Sequence, residues 1–92
     1  MAQIKIHDRD EYQKYLDGFD QVFSKYKGLL LAADENPQII EGKWPYSRTI
    51  LIRFPSEEEA KRWYQSPEYQ ELVKHRHHAS EANIVLVTRA EK

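Results

Sequence analysis

The sequence predicts an α+β fold, a ferredoxin-like βαββαβ arrangement in which one antiparallel sheet carries its helices on a single face. Three observations predict it. Extended and amphipathic stretches follow one another in the order strand, helix, strand, strand, helix, strand. Each helical stretch opens with its own capping signal, Asp8 with Glu11 and Ser56 with Glu59, where one side chain takes an orphan backbone N–H and the second reaches back for another. Lastly, the helix-free face of such a sheet should alternate polar residues, and Gln3, Lys5, Thr49 and Arg53 comply, whereas Leu51, Val85, Val87 and part of the leucine run do not.

Gln3-Ile4-Lys5-Ile6-His7 alternates polar and apolar and reads as a short strand with Ile4 and Ile6 on its buried face. After the Asp8 cap, Tyr12, Tyr15, Leu16, Phe19, Val22, Phe23 and Tyr26 recur at three- and four-residue steps, the spacing of one helix face. Lys25 and Lys27 sit where the helix dipole favours cations, and Gly28 is expected to take the left-handed position that ends the helix. Gly18 inside the helix costs about 1 kcal/mol relative to alanine and hints at close backbone approach. Leu29-Leu30-Leu31-Ala32-Ala33 is a continuous apolar run too short for a helix and reads as a strand buried on both faces. Gln38 to Lys43 is expected to resume an extended segment, and Trp44-Pro45-Tyr46-Ser47 to turn into a strand with Ile50, Ile52 and Phe54 on one face.

From Phe54 to Leu72 the chain has its densest local logic. Ser56 starts a helix, and Ser66-Pro67 repeats the start signal with proline at the first helical position, where its missing N–H costs nothing, so two helical segments meet at a kink. Trp63, Tyr64 and Tyr69 crowd that corner, and Leu72, Val73 and Arg76 continue the stripe of Tyr69. Asn83 to Thr88 then reads as a last strand, apolar on both faces. The uncovered aliphatic face marks an interface, and the economical cover is a second copy packed sheet to sheet, giving a two-fold homodimer.

A chain of 92 residues makes one domain, 1–92, with a core near the lower limit for standing alone. Fourteen Lys and Arg against 15 Asp and Glu give a net charge of -1, so no basic surface for nucleic acid is expected. There is no cysteine, which excludes a disulfide frame, a thiolate metal site and a cysteine nucleophile, and suits a reducing cytoplasm. The longest apolar run, Leu29 to Ala33, is far too short to span a bilayer, so no membrane partner is expected.

Several polar residues are candidates for a site. Glu41 and Arg48 flank the Trp44-Pro45-Tyr46 turn, close enough for an ion pair or a shared polar ligand if the turn joins paired strands. Arg76 falls on an apolar helix stripe, where an arginine needs a partner or an anion. His75 and His78 are three apart on one helix, but no further ligand is placed to complete a metal site, so neither a metal nor a cofactor is expected. No glycine-rich phosphate loop or nucleophile elbow is present.

Ile40-Glu41-Gly42-Lys43-Trp44, Arg48 with its aliphatic strand, Phe54-Pro55-Ser56, Ala60, Trp63-Tyr64, Ser66-Pro67-Glu68-Tyr69 and Arg76 together resemble domain of unknown function 1330, a family of small bacterial proteins. The resemblance covers nearly the whole chain. It implies a ferredoxin-like fold of the dimeric α/β-barrel kind and no settled activity. Cofactor-independent monooxygenases, isomerases and haem-handling enzymes share that wider superfamily, with sites between the sheet and its helices. By this fold-level analogy, Tyr12, Tyr15, Trp63 and Tyr69 would line a cleft, with Glu41, Trp44, Arg48 and Arg76 also contacting ligand. Arg48 or Arg76 would fix an acidic or enol oxygen, and His7 or His77 would move a proton. Two classes stay open: an enzyme, monooxygenase- or isomerase-like, acting on a small acidic or aromatic metabolite, and a non-catalytic dimer that binds a ligand or a protein partner.

Overall fold

Alternating apolar residues at the start of the chain form β1 (Ala2–Ile6), which becomes a central strand of the sheet. Asp8 caps α1 (Arg9–Phe23) by accepting from the Glu11 N–H at 3.1 Å. β2 (Leu29–Asp34) and β3 (Arg48–Arg53) follow. Ser56 caps α2 (Glu57–Tyr64) and Ser66 caps α3 (Pro67–Ala79), with Pro67 in the first turn. β4 (Ser80–Ile84) closes the sheet. The computed structural model describes residues 1–88.

The four strands lie in the order β2-β3-β1-β4, every neighbouring pair antiparallel, as in a ferredoxin-like fold. Ile4 of the sheet, Tyr12 and Tyr15 of α1, Trp63 of α2, and Tyr69, Val73 and Ala79 of α3 share one buried cluster, so all three helices cover the same sheet face. Among the described residues no helix is long and apolar enough to cross a membrane, and no group of three His, Cys, Asp or Glu could hold a metal ion.

Several expectations are corrected. The leucine run is a strand, but all its residues are exposed, because β2 is an edge strand and only β3 pairs with it. A bulge between Leu30 and Ala32 further interrupts its ladder. No strand forms over residues 38–43. The last strand begins at Ser80, not Asn83: α3 passes straight into it, the Ala79 carbonyl accepts from the His7 and Asp8 N–H groups, and the ladder with β1 runs Ile6 to Ser80 through Ala2 to Ile84. Residues 85–88 lie beyond it, joined by the Val85 N–H to the Met1 carbonyl at 3.0 Å.

Gly28 does not take a left-handed conformation; Gly42, at φ 87°, is the glycine that does. The reason for glycine at 28 is space. A Cβ there would sit 2.5 Å from Phe23 Cζ and 2.8 Å from Phe54 Cε1, two rings packed edge to face. Gly28→Ala is therefore expected to destabilise by about 1–3 kcal/mol as an overpacking change, read as a fall of several degrees or more in thermal midpoint. At Gly18 a Cβ would meet the Leu72 Cδ1 at 2.7 Å, where α1 crosses α3, but a leucine tip can swing away. Gly18→Ala should stay within about 1 kcal/mol of the parent, since alanine's helix propensity offsets the contact.

α1 and α3 are also joined by Glu11 Oε1 and His75 Nδ1 at 2.7 Å. His75 and Lys14 hold the Glu11 carboxyl below the ordinary carboxylate range. A depressed carboxyl stabilises the fold above its unfolded pKa and loses that contribution as pH falls through the folded value. Glu11→Gln should therefore lower stability slightly at neutral pH, where the paired carboxylate contributes, and flatten the acid limb of the stability–pH curve below about pH 4.5, so that variant and parent converge in acid.

Candidate functional site

Helix spacing and one serine assemble the site. On α1, Tyr12 and Tyr15 are one turn apart and both are buried. On α3, Tyr69, Val73 and Arg76 follow at four and three residues, so all three face inward. Ser66 ties the corner: its hydroxyl donates to the Trp63 carbonyl at 2.9 Å and accepts from the Tyr69 N–H at 3.2 Å. That bond pair holds the Trp63 and Tyr69 rings 4.3 Å apart. From the sheet, Arg48, Ile50 and Ile52 alternate toward the helices along β3, with Phe54 just beyond.

Between these walls lies a cavity of about 600 Å³, lined by Tyr12, Tyr15, Arg48, Trp63, Tyr69 and Arg76 together with the apolar strand residues. Small-molecule sites commonly have this size and this mixture of apolar wall and few polar groups. Tyr15 and Tyr69 join hydroxyls at 2.8 Å. Arg76 is only 3% exposed; its guanidinium carbon lies 5.8 Å from the centre of the Tyr15 ring, and it makes no ion pair among the described residues. Arg48 pairs with Glu35 at 3.2 Å. Three buried donors of this cavity's lining residues have no hydrogen-bond partner: Arg48 Nε, Trp63 Nε1 and Arg76 Nη2.

Of the ten residues singled out from the sequence, six share the cavity and four lie elsewhere. Glu41 is exposed and is not the partner of Arg48; Glu35 is, because residues 35–47 form an irregular loop rather than a hairpin turn. Trp44 packs edge to face on Tyr46 and donates its indole N–H to Thr49 Oγ1 at 2.9 Å. His7 is exposed at the end of β1. His77 is exposed and borders a smaller cavity of about 300 Å³ that shares Arg76. The sequence alone does not single out Glu35, Ile50, Ile52 or Phe54 as site residues. The period-two pattern of β3 places Ile50 and Ile52, with Phe54 just beyond the strand, on one face, and only the packing shows that this face borders empty space.

Burial pushes the Tyr12, Tyr15 and Tyr69 phenols above the usual tyrosine range; Arg48 and Arg76 oppose the shift at Tyr12, and the Tyr15 hydrogen bond and Arg76 oppose it at Tyr69. All three are neutral donors near neutral pH, and the cavity is cationic through Arg76. Groups with raised pKa values stabilise the fold below their unfolded pKa and lose that contribution as pH rises through the folded value. The chain has six tyrosines. In an ultraviolet phenolate titration, these three should stay protonated above pH 10 until the fold itself collapses, giving one steep cooperative step. A smooth titration of all six would contradict the buried geometry.

Comparison with known proteins agrees with this architecture. Residues 1–90 match the profile of DUF1330, Domain of unknown function. No curated protein matches the chain. A solved structure similar to it is the crystal structure of a protein of unknown function from Rhodopseudomonas palustris, a structural genomics target. The match has 16% sequence identity and a TM-score of 0.73, covering 99% of this chain and 82% of that chain. At that identity the likeness bears on the fold alone.

Proposed function

Because the chain belongs to the DUF1330 family, a domain of unknown function, we propose a role from the geometry of its cavity: a cytoplasmic homodimer that binds a small acidic or aromatic metabolite between sheet and helices. The observation that carries this reading is the convergence of a buried, unpaired Arg76 with aromatic and aliphatic walls on one cavity of about 600 Å³. Buried charges are ordinarily paired, so an open space beside an unpaired guanidinium is the feature that calls for a ligand. A thermal-shift screen against aromatic and carboxylic metabolites tests it. A ligand present at 100 times its dissociation constant adds about 2.7 kcal/mol, enough to raise the midpoint of so small a domain by several degrees. A flat response across the whole screen would sink the reading.

Self-association is supported by the outer sheet face and the end of the described chain, where Leu29 is 57%, Leu51 40%, Val85 50% and Val87 68% exposed. A core this small gains by covering them. Light scattering at micromolar concentration should give twice the chain mass, and Leu51→Glu should reduce it to one. The absence of cysteine fits a reducing compartment.

A catalytic reading rests on a separate observation. His77 borders the smaller cavity beside Arg76, and burial, the Arg76 charge and His78 hold its pKa below the ordinary range, which leaves a neutral imidazole able to take a proton. Under it, His77→Gln would abolish turnover of a bound compound while leaving its affinity intact. Binding without turnover is the reading favoured here, since among the described residues lining the larger cavity there is no histidine, and Asp20, the single carboxylate, is exposed.

A further inference from the structure

We infer that the cavity recognises a monoanion, a carboxylate carried on an apolar or aromatic body, bound with its charged end against Arg76. The inference deepens the metabolite-binding role proposed above and rests on it. A count of charge narrows the class. Arg48 has Glu35 at 3.2 Å, a carboxylate it shares with the exposed Arg9. The lining residues Lys61, paired with Glu57, and Asp20 are exposed to solvent. The buried Arg76, by contrast, faces a ring and phenols and has no acid partner among the described residues. The buried site therefore carries one uncompensated positive charge. A single negative charge neutralises it; a phosphate dianion would leave a buried excess of the opposite sign, and a neutral aromatic would leave the guanidinium unanswered.

Donor and acceptor chemistry points the same way. Three lining residues offer buried N–H groups without partners, at Arg48 Nε, Trp63 Nε1 and Arg76 Nη2, and none of these atoms can accept a hydrogen bond. The Tyr15–Tyr69 hydroxyl pair can present one further proton. A site with surplus donors is complemented by a group that only accepts, which an ionised carboxylate is and an amide is not. Most of the remaining wall is apolar, Leu16, Ile50, Ile52 and Phe54 among it, and its other polar members, Asp20, Lys61 and Gln65, are exposed, so the body of the ligand that lies inside is apolar. Its bulk is limited by a space of about 600 Å³.

Calorimetric titration with matched acids and amides tests the inference on the unaltered protein: phenylacetate with phenylacetamide, 3-phenylpropionate with its amide, octanoate with octanamide, and phenyl phosphate as the dianion. At least one acid should bind about tenfold or more tighter than its own amide, the least that a charge-assisted hydrogen bond supplies, and more tightly than phenyl phosphate. Arg76→Met should erase the preference for the acid. Equal binding of acid and amide overturns the carboxylate inference and leaves the pocket standing, as does tighter binding of phenyl phosphate. Retention of the preference in a folded Arg76→Met protein removes Arg76 as the anchor and overturns it too. No binding by any member overturns both the inference and the metabolite-binding role. Should Arg76→Met fail to fold, the acid–amide ratio of the parent decides alone.

Discussion

Trp63→Ala is expected to lose a large share of the stability of the fold. Trp63 is the hub of the aromatic cluster: Tyr69, Phe23, Phe54, Phe19 and Tyr64 have ring centres 4.3, 5.5, 5.5, 6.1 and 6.1 Å from its own. Three of these contacts are edge to face, with interplanar angles of 80°, 82° and 72°, and such pairs add to the burial term. Truncating a buried tryptophan costs about 3–5 kcal/mol, and domains of this length have a total of roughly 5–15 kcal/mol. The midpoint should fall by on the order of 20 °C, followed by circular dichroism on heating. The control is Trp63→Phe, which keeps a ring but removes the indole N–H that has no partner. It should retain most of the stability and, if the N–H serves a ligand, weaken binding. A Trp63→Ala protein within about 1 kcal/mol of the parent would show that the cluster is not the core.

Local signals carried the fold. Asp8, Ser56 and Ser66 each accept the backbone N–H three residues on, as their spacing to Glu11, Glu59 and Tyr69 requires. These are short-range contacts set by backbone geometry, so a sequence can state them without knowing the tertiary structure. The last strand shows the limit. Apolar content favoured Asn83 to Thr88, but the ladder is fixed by where α3 ends, at Ala79, whose carbonyl is already bonded to His7 and Asp8. Register is a property of two strands, and the polar Ser80 and Glu81 gave no hint that they would pair with Ile6 and Lys5.

The site divides in the same way. Tyr12, Tyr15, Tyr69 and Arg76 were legible because helical periodicity alone puts them on buried stripes. Glu41 was misplaced as a partner of Arg48 because spacing across a turn has meaning only when the flanking strands pair. Here residues 38–47 are irregular, and Glu35 Oε1 reaches both Arg48 at 3.2 Å and Arg9 at 3.7 Å. The cavity itself has no sequence signature. The same aromatic and aliphatic residues would fill a closed core equally well, and the space left between them depends on how the α2–α3 corner stands off the sheet.

Arg76→Met separates a binding arginine from a structural one by the sign of its effect on the unliganded protein. Removing one partner of a buried ion pair costs about 3–5 kcal/mol, because the other charge is stranded. Arg76 strands nothing when it leaves, since its charge has no acid partner among the described residues and its Nη2 is already without a hydrogen bond. What is lost is the contact over the Tyr15 ring at 5.8 Å, about 0.5–2 kcal/mol, together with the interaction with the Tyr69 hydroxyl, which keeps its bond to Tyr15. What is relieved is the desolvation of an unanswered guanidinium, an effect of several kcal/mol in the opposite direction. Methionine has a similar length and no charge, so the unliganded variant should melt at or above the temperature of the parent while showing no further rise with a carboxylate that stabilises the parent. A side chain kept at the expense of stability is one retained for what it binds. If instead the variant melts far lower with no ligand present, the guanidinium is holding the α1–α3 interface together, and its place on the cavity wall is incidental.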